Sequence, residues 1–255
     1  RLGILNENYV YADYKSRVMG CYYLIRSLAE FASANKEEIK DMINKADAKT
    51  ISRGLNPAVT DSFAIEYKVR PIEEKVTIKT YEVEQTNEPN VYPRFRRTDR
   101  RKDVTIPYYI DYYPARSVRF PFAYLIDNAD PEVITLLKMQ GIKVEKLIAA
   151  VKTEAERFEI SELKGSARLN QGHYTNSIKG KFVIESREFP EGTVVVRTAQ
   201  PLANLAAYLL EPQSNDGLMT WNYFDRYLVP QWGGGYNVYP VFKIFNPVEI
   251  KTTAF

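Results

Sequence analysis

Apolar positions at the start of the chain change spacing within a few residues. Leu2, Ile4 and Leu5 form a compact apolar run ahead of Asn6-Glu7-Asn8, and residues 1–8 read as a short buried strand. From Asp13 to Ala34, Val18, Cys21, Leu24, Ile25, Leu28 and Ala32 recur every three or four residues, which predicts one helix with a single apolar stripe. Asn35 with Glu38 three positions on resembles a capping box. It opens a second predicted helix to about Lys49, with Ile39, Met42, Ile43 and Ala46 on one face and Gly54 and Pro57 closing it. An apolar strand with nothing to pair with is an unusual start for a domain. It leads to the expectation that the chain is the C-terminal part of a larger protein.

The period then changes from helical to alternating. Residues 63–69 and 76–83 predict two strands with a turn over 70–75. Residues 85–103 are polar and basic and read as a solvated loop, and 106–113 resume as an aromatic-rich extended run containing Pro107. Phe122 to Ile126 is a continuous apolar strand. Asp130-Pro131 caps a helix carrying Val133, Ile134, Leu136 and Leu137, Gly141 stops it, and 142–147 form the next strand. This is a β-α-β unit, for which a right-handed crossover and parallel strands are expected. Further strands are predicted over 150–164, 180–189 and 193–198, with a polar loop over 170–177. A helix through Leu202 to Leu210, a short helix over 218–224, a Gly233-Gly234-Gly235 joint and a last strand over 239–245 complete the pattern. The fold class is therefore mixed α/β (α+β), without internal repeats.

Composition narrows the chemistry. The 255 residues are 45% hydrophobic and 26% charged, with a net charge of +3, enough apolar residues for a core and too little charge to call for a nucleic acid. No apolar stretch is long enough to predict a membrane span. One His (His173) and one Cys (Cys21) exclude a zinc site with two His ligands. No G-x-S-x-G, G-x-x-x-x-G-K-[ST] or G-x-G-x-x-G occurs.

Four groups remain as candidates. Glu7 follows the opening apolar run, where a carboxylate can act as a general base or merely cap and pair near the following helix. The basic run over 94–102, with Tyr92 and Phe95 close by, could bind phosphate, but Asp99 and Asp103 interrupt it and a solvated surface is favoured. His173 lies in a polar loop and reads as a surface residue unless another domain completes a site with it. Trp221, Tyr223, Phe224 and Trp232 suit either an aromatic platform or core packing.

Three segments together resemble the large bacterial zinc carboxypeptidases, the funnelin-type metallopeptidases. The first is Gly3 to Tyr14 with Arg17-Val18, similar to the last sheet strand and closing helix of that catalytic domain. The second is Phe122 to Ile126 with Leu136-Leu137 and 141–144. The third is 192–206, running on to Leu210-Glu211-Pro212 and Asp216-Gly217-Leu218. The latter two resemble a C-terminal extension carried by a subset of these enzymes.

The resemblance implies residues 1–53 as the tail of a catalytic domain and 60–255 as a mixed α/β accessory region. It implies an enzyme that removes C-terminal residues from peptides, with Glu7 at the position of the family's general base, although Asn6 and Asn8 differ from the better-known animal enzymes. It places zinc, the zinc ligands and the arginine that grips the substrate carboxylate upstream in the parent, so that this piece binds no zinc and is inactive alone. The implied partners are the upstream catalytic domain and a peptide substrate, and the implied location is secreted or periplasmic. The competing expectation is a non-catalytic module that binds peptide or glycan through the Tyr-rich strands and the 221–232 region. A purely structural buttress is the third.

Overall fold

In chain order the elements are α1 (Tyr14–Ala34), α2 (Lys36–Leu55), β1 (Ser62–Gln85), β2 (Phe95–Arg119), β3 (Ala123–Ile126), α3 (Pro131–Met139), β4 (Glu145–Leu147), β5 (Val151–Gly165), β6 (Asn176–Phe189), β7 (Val194–Arg197), α4 (Ala203–Leu210), α5 (Asp225–Leu228), β8 (Val241–Ile244) and β9 (Thr252–Ala254). This is a mixed α+β fold. The computed structural model describes residues 2–86 and 94–255, so Arg1 and Tyr92 lie outside the described residues. The chain divides into two compact units, Arg1–Phe63 with Arg119–Phe255, and Ala64–Val118. No helix is long and apolar enough to cross a membrane.

The larger unit is built on a seven-stranded sheet in the order β6-β5-β8-β3-β7-β4-β9. Each registered neighbour pair is antiparallel. β3 and β4 both run against β7, so they are parallel to each other with β7 between them. The expected β-α-β unit is therefore a split one, and its two strands are not neighbours. β7 and β8 repeat the arrangement around β3, joined through α4. The four strands give the order β8-β3-β7-β4, which is the interleaved β-α-β-β-α-β pattern of ferredoxin-like folds. The β5–β6 hairpin is inserted between the two halves, pairs with β8 and widens the sheet on one side, while β9 extends the other.

Alternation along the strands separates two cores. Tyr124 and Ile126 of β3, Val194 and Val196 of β7 and Val241 of β8 pack with Val133 and Leu137 of α3 and Ala206 and Leu210 of α4. Ala123, Leu125, Val195, Phe242 and Ile244 face the opposite way, with Leu147, Ala155 and Phe189. α3 starts where the sequence says it should, with Asp130 accepting from the Glu132 N–H and Pro131 in the first turn.

α2 joins this unit through its last turn. A Cβ on Gly54 would lie 2.2 Å from the Thr198 carbonyl, so only glycine allows the approach. The Arg53 guanidinium lies 3.8 Å from the Phe120 ring centre and donates to the Ser62 carbonyl at 2.7 Å. The Thr198 hydroxyl lies 2.7 Å from the Pro121 carbonyl and closes the same junction.

Several local expectations are corrected. Residues 2–8 are coil rather than a buried strand, with Leu5 86% exposed. No strand among the described residues pairs with them, and a buried strand without a partner could not satisfy its backbone. The helix α1 keeps its predicted span and its Asp13 cap, which accepts from the Ser16 N–H at 3.0 Å, but it buries no residue. The capping box at Asn35 does not form, because its side chain donates to the Phe31 carbonyl instead.

The predicted turn at 70–75 is absent. β1 runs unbroken through Pro71 and pairs with β2 as a two-stranded ribbon, where both strands are edges, the setting in which a strand tolerates proline. The described part of the basic 85–103 loop is strand except at Thr86 and Arg94. Residues 218–224 are turns rather than a helix, and the four-residue α5 follows them.

Candidate functional site

Two sequence candidates that lie far apart in the chain meet at one end of the β5–β6 hairpin. The hairpin tip is turned by Gln171 and Gly172, both with positive φ, and brings His173 beneath the turns that follow α4. The His173 ring meets Trp221 edge to face at 5.4 Å, and its Nδ1 lies 3.2 Å from Asn222 Oδ1.

Asn222 is held at φ 72, a left-handed conformation that costs a non-glycine residue free energy. Its side chain is fully engaged: Nδ2 donates to the Tyr174 carbonyl and to Asp225 Oδ2, both at 3.1 Å. Asp225 also accepts from Asn176 Nδ2 at 2.6 Å. Burial raises the Asp225 carboxyl above the ordinary aspartate value, and the two asparagine donors oppose that rise. Trp221 Nε1 donates to Asp216 Oδ1 at 2.5 Å. The cluster locks the hairpin tip to the 216–228 turns.

The remaining aromatics do not join this cluster as a platform. Phe224 is buried against Tyr239, with ring centres 5.2 Å apart, and Tyr223 packs against the core. Trp232 is 86% exposed on a separate loop.

Glu7 is exposed and, among the described residues, has no ion-pair or hydrogen-bond partner. Its neighbours are tied down instead. Asn6 and Asn8 both donate their amides to Cys21 Sγ, at 3.3 and 2.7 Å, which holds the coil over the first turns of α1. His173 and Glu7 are not brought into hydrogen-bonding contact.

The basic run is largely spent within the ribbon. Arg100 pairs with Glu82 at 2.5 Å and Glu84 at 3.3 Å, Arg96 reaches Glu84 at 3.9 Å, and Arg97 stacks on Tyr81.

Sequence reading missed a buried ionic network under the C-terminal end of α4. Lys243, 3% exposed, sits on β8 directly opposite Tyr124 of β3 and Glu156 of β5. Its Nζ contacts Glu156 Oε1 at 2.8 Å and Glu211 Oε2 at 3.3 Å, and lies 3.7 Å from the Phe182 ring centre. Glu211 is fully buried and also accepts from the Tyr124 hydroxyl at 2.9 Å. Burial raises the Glu211 carboxyl above the ordinary value, against the opposing pulls of Lys243 and Tyr124. The signal was a lysine inside the apolar run Val241-Phe242-Lys243-Ile244.

Among the described residues no group of three or more His, Cys, Asp and Glu side chains is placed to hold a metal ion. These residues do not fit a resident zinc site.

No family model matches the chain, and no solved structure shows a significant match. Among curated proteins it is similar to carboxypeptidase 2 of Trichophyton rubrum, with 27% identity over 124 residues, covering 49% of this chain and 22% of that protein. The carboxypeptidase 2 of Trichophyton tonsurans gives the same identity and coverage. A probable carboxypeptidase 2 of Arthroderma benhamiae is 28% identical over 96 residues, covering 38% of this chain and 18% of that protein. The aligned part spans about a fifth of the length of these relatives, all of them fungal. The chain contains a carboxypeptidase-related region.

Proposed function

We propose that the chain is the C-terminal portion of a longer zinc carboxypeptidase of the funnelin type, which hydrolyses C-terminal peptide bonds. The observation that carries this is the similarity to fungal carboxypeptidase 2 across half the chain. Residues 1–53 close the catalytic domain, and 60–255 form the accessory region. The apolar stripe of α1 buries no residue fully, and Val18, Ile25 and Phe31 beside the half-buried Cys21, Leu24 and Leu28 are open to solvent, which suits a helix that packs on a larger catalytic body. That body, a peptide substrate and a secreted or periplasmic setting are the partners and place that go with this reading.

Within it, Glu7 takes the proton from the water that attacks the scissile carbonyl. With zinc, its ligands and the arginine that grips the substrate carboxylate placed upstream, the portion is inactive when isolated. The test is the metal content of the whole gene product, with hydrolysis of a C-terminal peptide bond followed in parallel. About one zinc per chain is expected, as for a three-ligand catalytic site, with activity lost on chelation and restored by zinc. Activity that persists in a metal-free protein would overturn the zinc assignment.

A further inference from the structure

The turn between β3 and α3 is gripped by two arginines from distant parts of the chain. Arg187 of β6 bonds Asp127 at 2.5 Å while its guanidinium lies over the Phe242 ring at 4.4 Å. Arg226 of α5 bonds Asp130. Between these pairs lies a recess of about 290 Å³, lined by Asn128, Arg187, Arg226, Asn237 and Phe242 among others. That is near the lower limit for small-molecule sites.

Every charge at the recess already has a partner of opposite sign within the chain. Arg187 is matched by Asp127 and by Glu185 at 3.7 Å, and Arg226 by Asp130. A ligand is not asked to bring a charge. What stays available is neutral hydrogen-bonding capacity. Asn128 is held at φ 49 with its carboxamide unpartnered among the described residues. Asn237 donates to the Tyr227 carbonyl, leaving its own side-chain oxygen as an acceptor. The guanidinium groups carry more N–H donors than their aspartates use.

The loop over 229–238 ends in the recess wall at Asn237 and Val238. It carries the exposed Trp232 beside Gly233 (φ 114) and Gly235 (φ 89), conformations that only glycine adopts freely. A bare indole on a glycine loop that runs into the wall of a recess lined by planar amides and self-neutralised Arg–Asp pairs suits an uncharged ring studded with hydroxyls. A peptide terminus would instead need an unmatched charge.

We propose that this recess binds a neutral sugar residue of a glycan, with Asn128, Asn237 and the two arginines bonding hydroxyls and Trp232 stacking on the ring. The site lies apart from Glu7 and does not rest on the carboxypeptidase reading, so either can fail without the other. The test titrates the 255-residue chain with chitotetraose, cellotetraose and mannotetraose, and with a neutral amidated tetrapeptide, by calorimetry and Trp fluorescence. At least one sugar is expected to bind with a Kd of about 1 mM or tighter. Asn128→Gly, which keeps the backbone conformation, and Trp232→Ala, which removes an exposed ring, are each expected to weaken it about tenfold with an unchanged melting temperature. The proposal is overturned if no sugar binds at about 10 mM, if both variants bind as the unsubstituted chain does, or if only the peptide binds.

Discussion

Replacing Lys243 by Met is expected to destabilise the chain by about 3–5 kcal/mol, the range for removing one partner of a buried ion pair. Methionine fills similar volume, so the loss comes from charge rather than from a void. Glu211 would be left fully buried with, among the described residues, the Tyr124 hydroxyl as its side-chain donor, while Glu156 would lose its 2.8 Å partner.

The loss depends on pH, and its direction follows from the Glu211 carboxyl. Burial already holds it above its ordinary value near 4.5, and Lys243 pulls it back down. Removing the lysine lets it rise further. A raised carboxyl favours the native state fully below the unfolded value, and that contribution is lost as pH rises through the folded value. Destabilisation by Lys243→Met is therefore smallest in acid and grows towards neutral pH. Denaturant melts at about pH 5 and about pH 8 measure this. Pairing the change with Glu211→Gln should recover more than half of the loss. Equal destabilisation at both pH values would remove Glu211 as the cause.

Glu7→Gln in the whole gene product is expected to lower kcat about a hundredfold or more, the usual contribution of a general base. Glutamine keeps the shape and removes the proton acceptor. The carboxylate is exposed and unpartnered among the described residues, so no contact with any of them is lost. The flanking Asn6 and Asn8 contacts to Cys21 are untouched, and the local backbone should hold. Zinc content should stay as in the unsubstituted enzyme, which separates a proton-transfer defect from a binding one. Unchanged turnover would remove Glu7 from the mechanism.

Local signals in the sequence were read well where one element carries its own evidence. The period of α1, the Asp130-Pro131 start of α3 and the apolar runs of β3 and β7 each place an element close to where it lies. What was not legible depends on partners far away in the chain. Nothing near β3 or β4 announces that β7 will insert between them. The long β1 hides behind Pro71 and Glu73-Glu74, which look like a turn until both strands of the ribbon are known to be edges.

The candidate site shows the same division. His173 and Trp221 were each singled out, but their contact depends on a left-handed Asn222 that the sequence does not mark. Glu211 marks the end of a helix in the sequence, and only the packing of that helix end against β8 makes it a buried partner of Lys243.

The carboxypeptidase reading is tested most directly by the products. Peptides of known sequence incubated with the whole gene product and followed by mass spectrometry should lose residues one at a time from the C-terminus alone. Cleavage at internal bonds, loss from the N-terminus, or intact peptides with zinc supplied would contradict it.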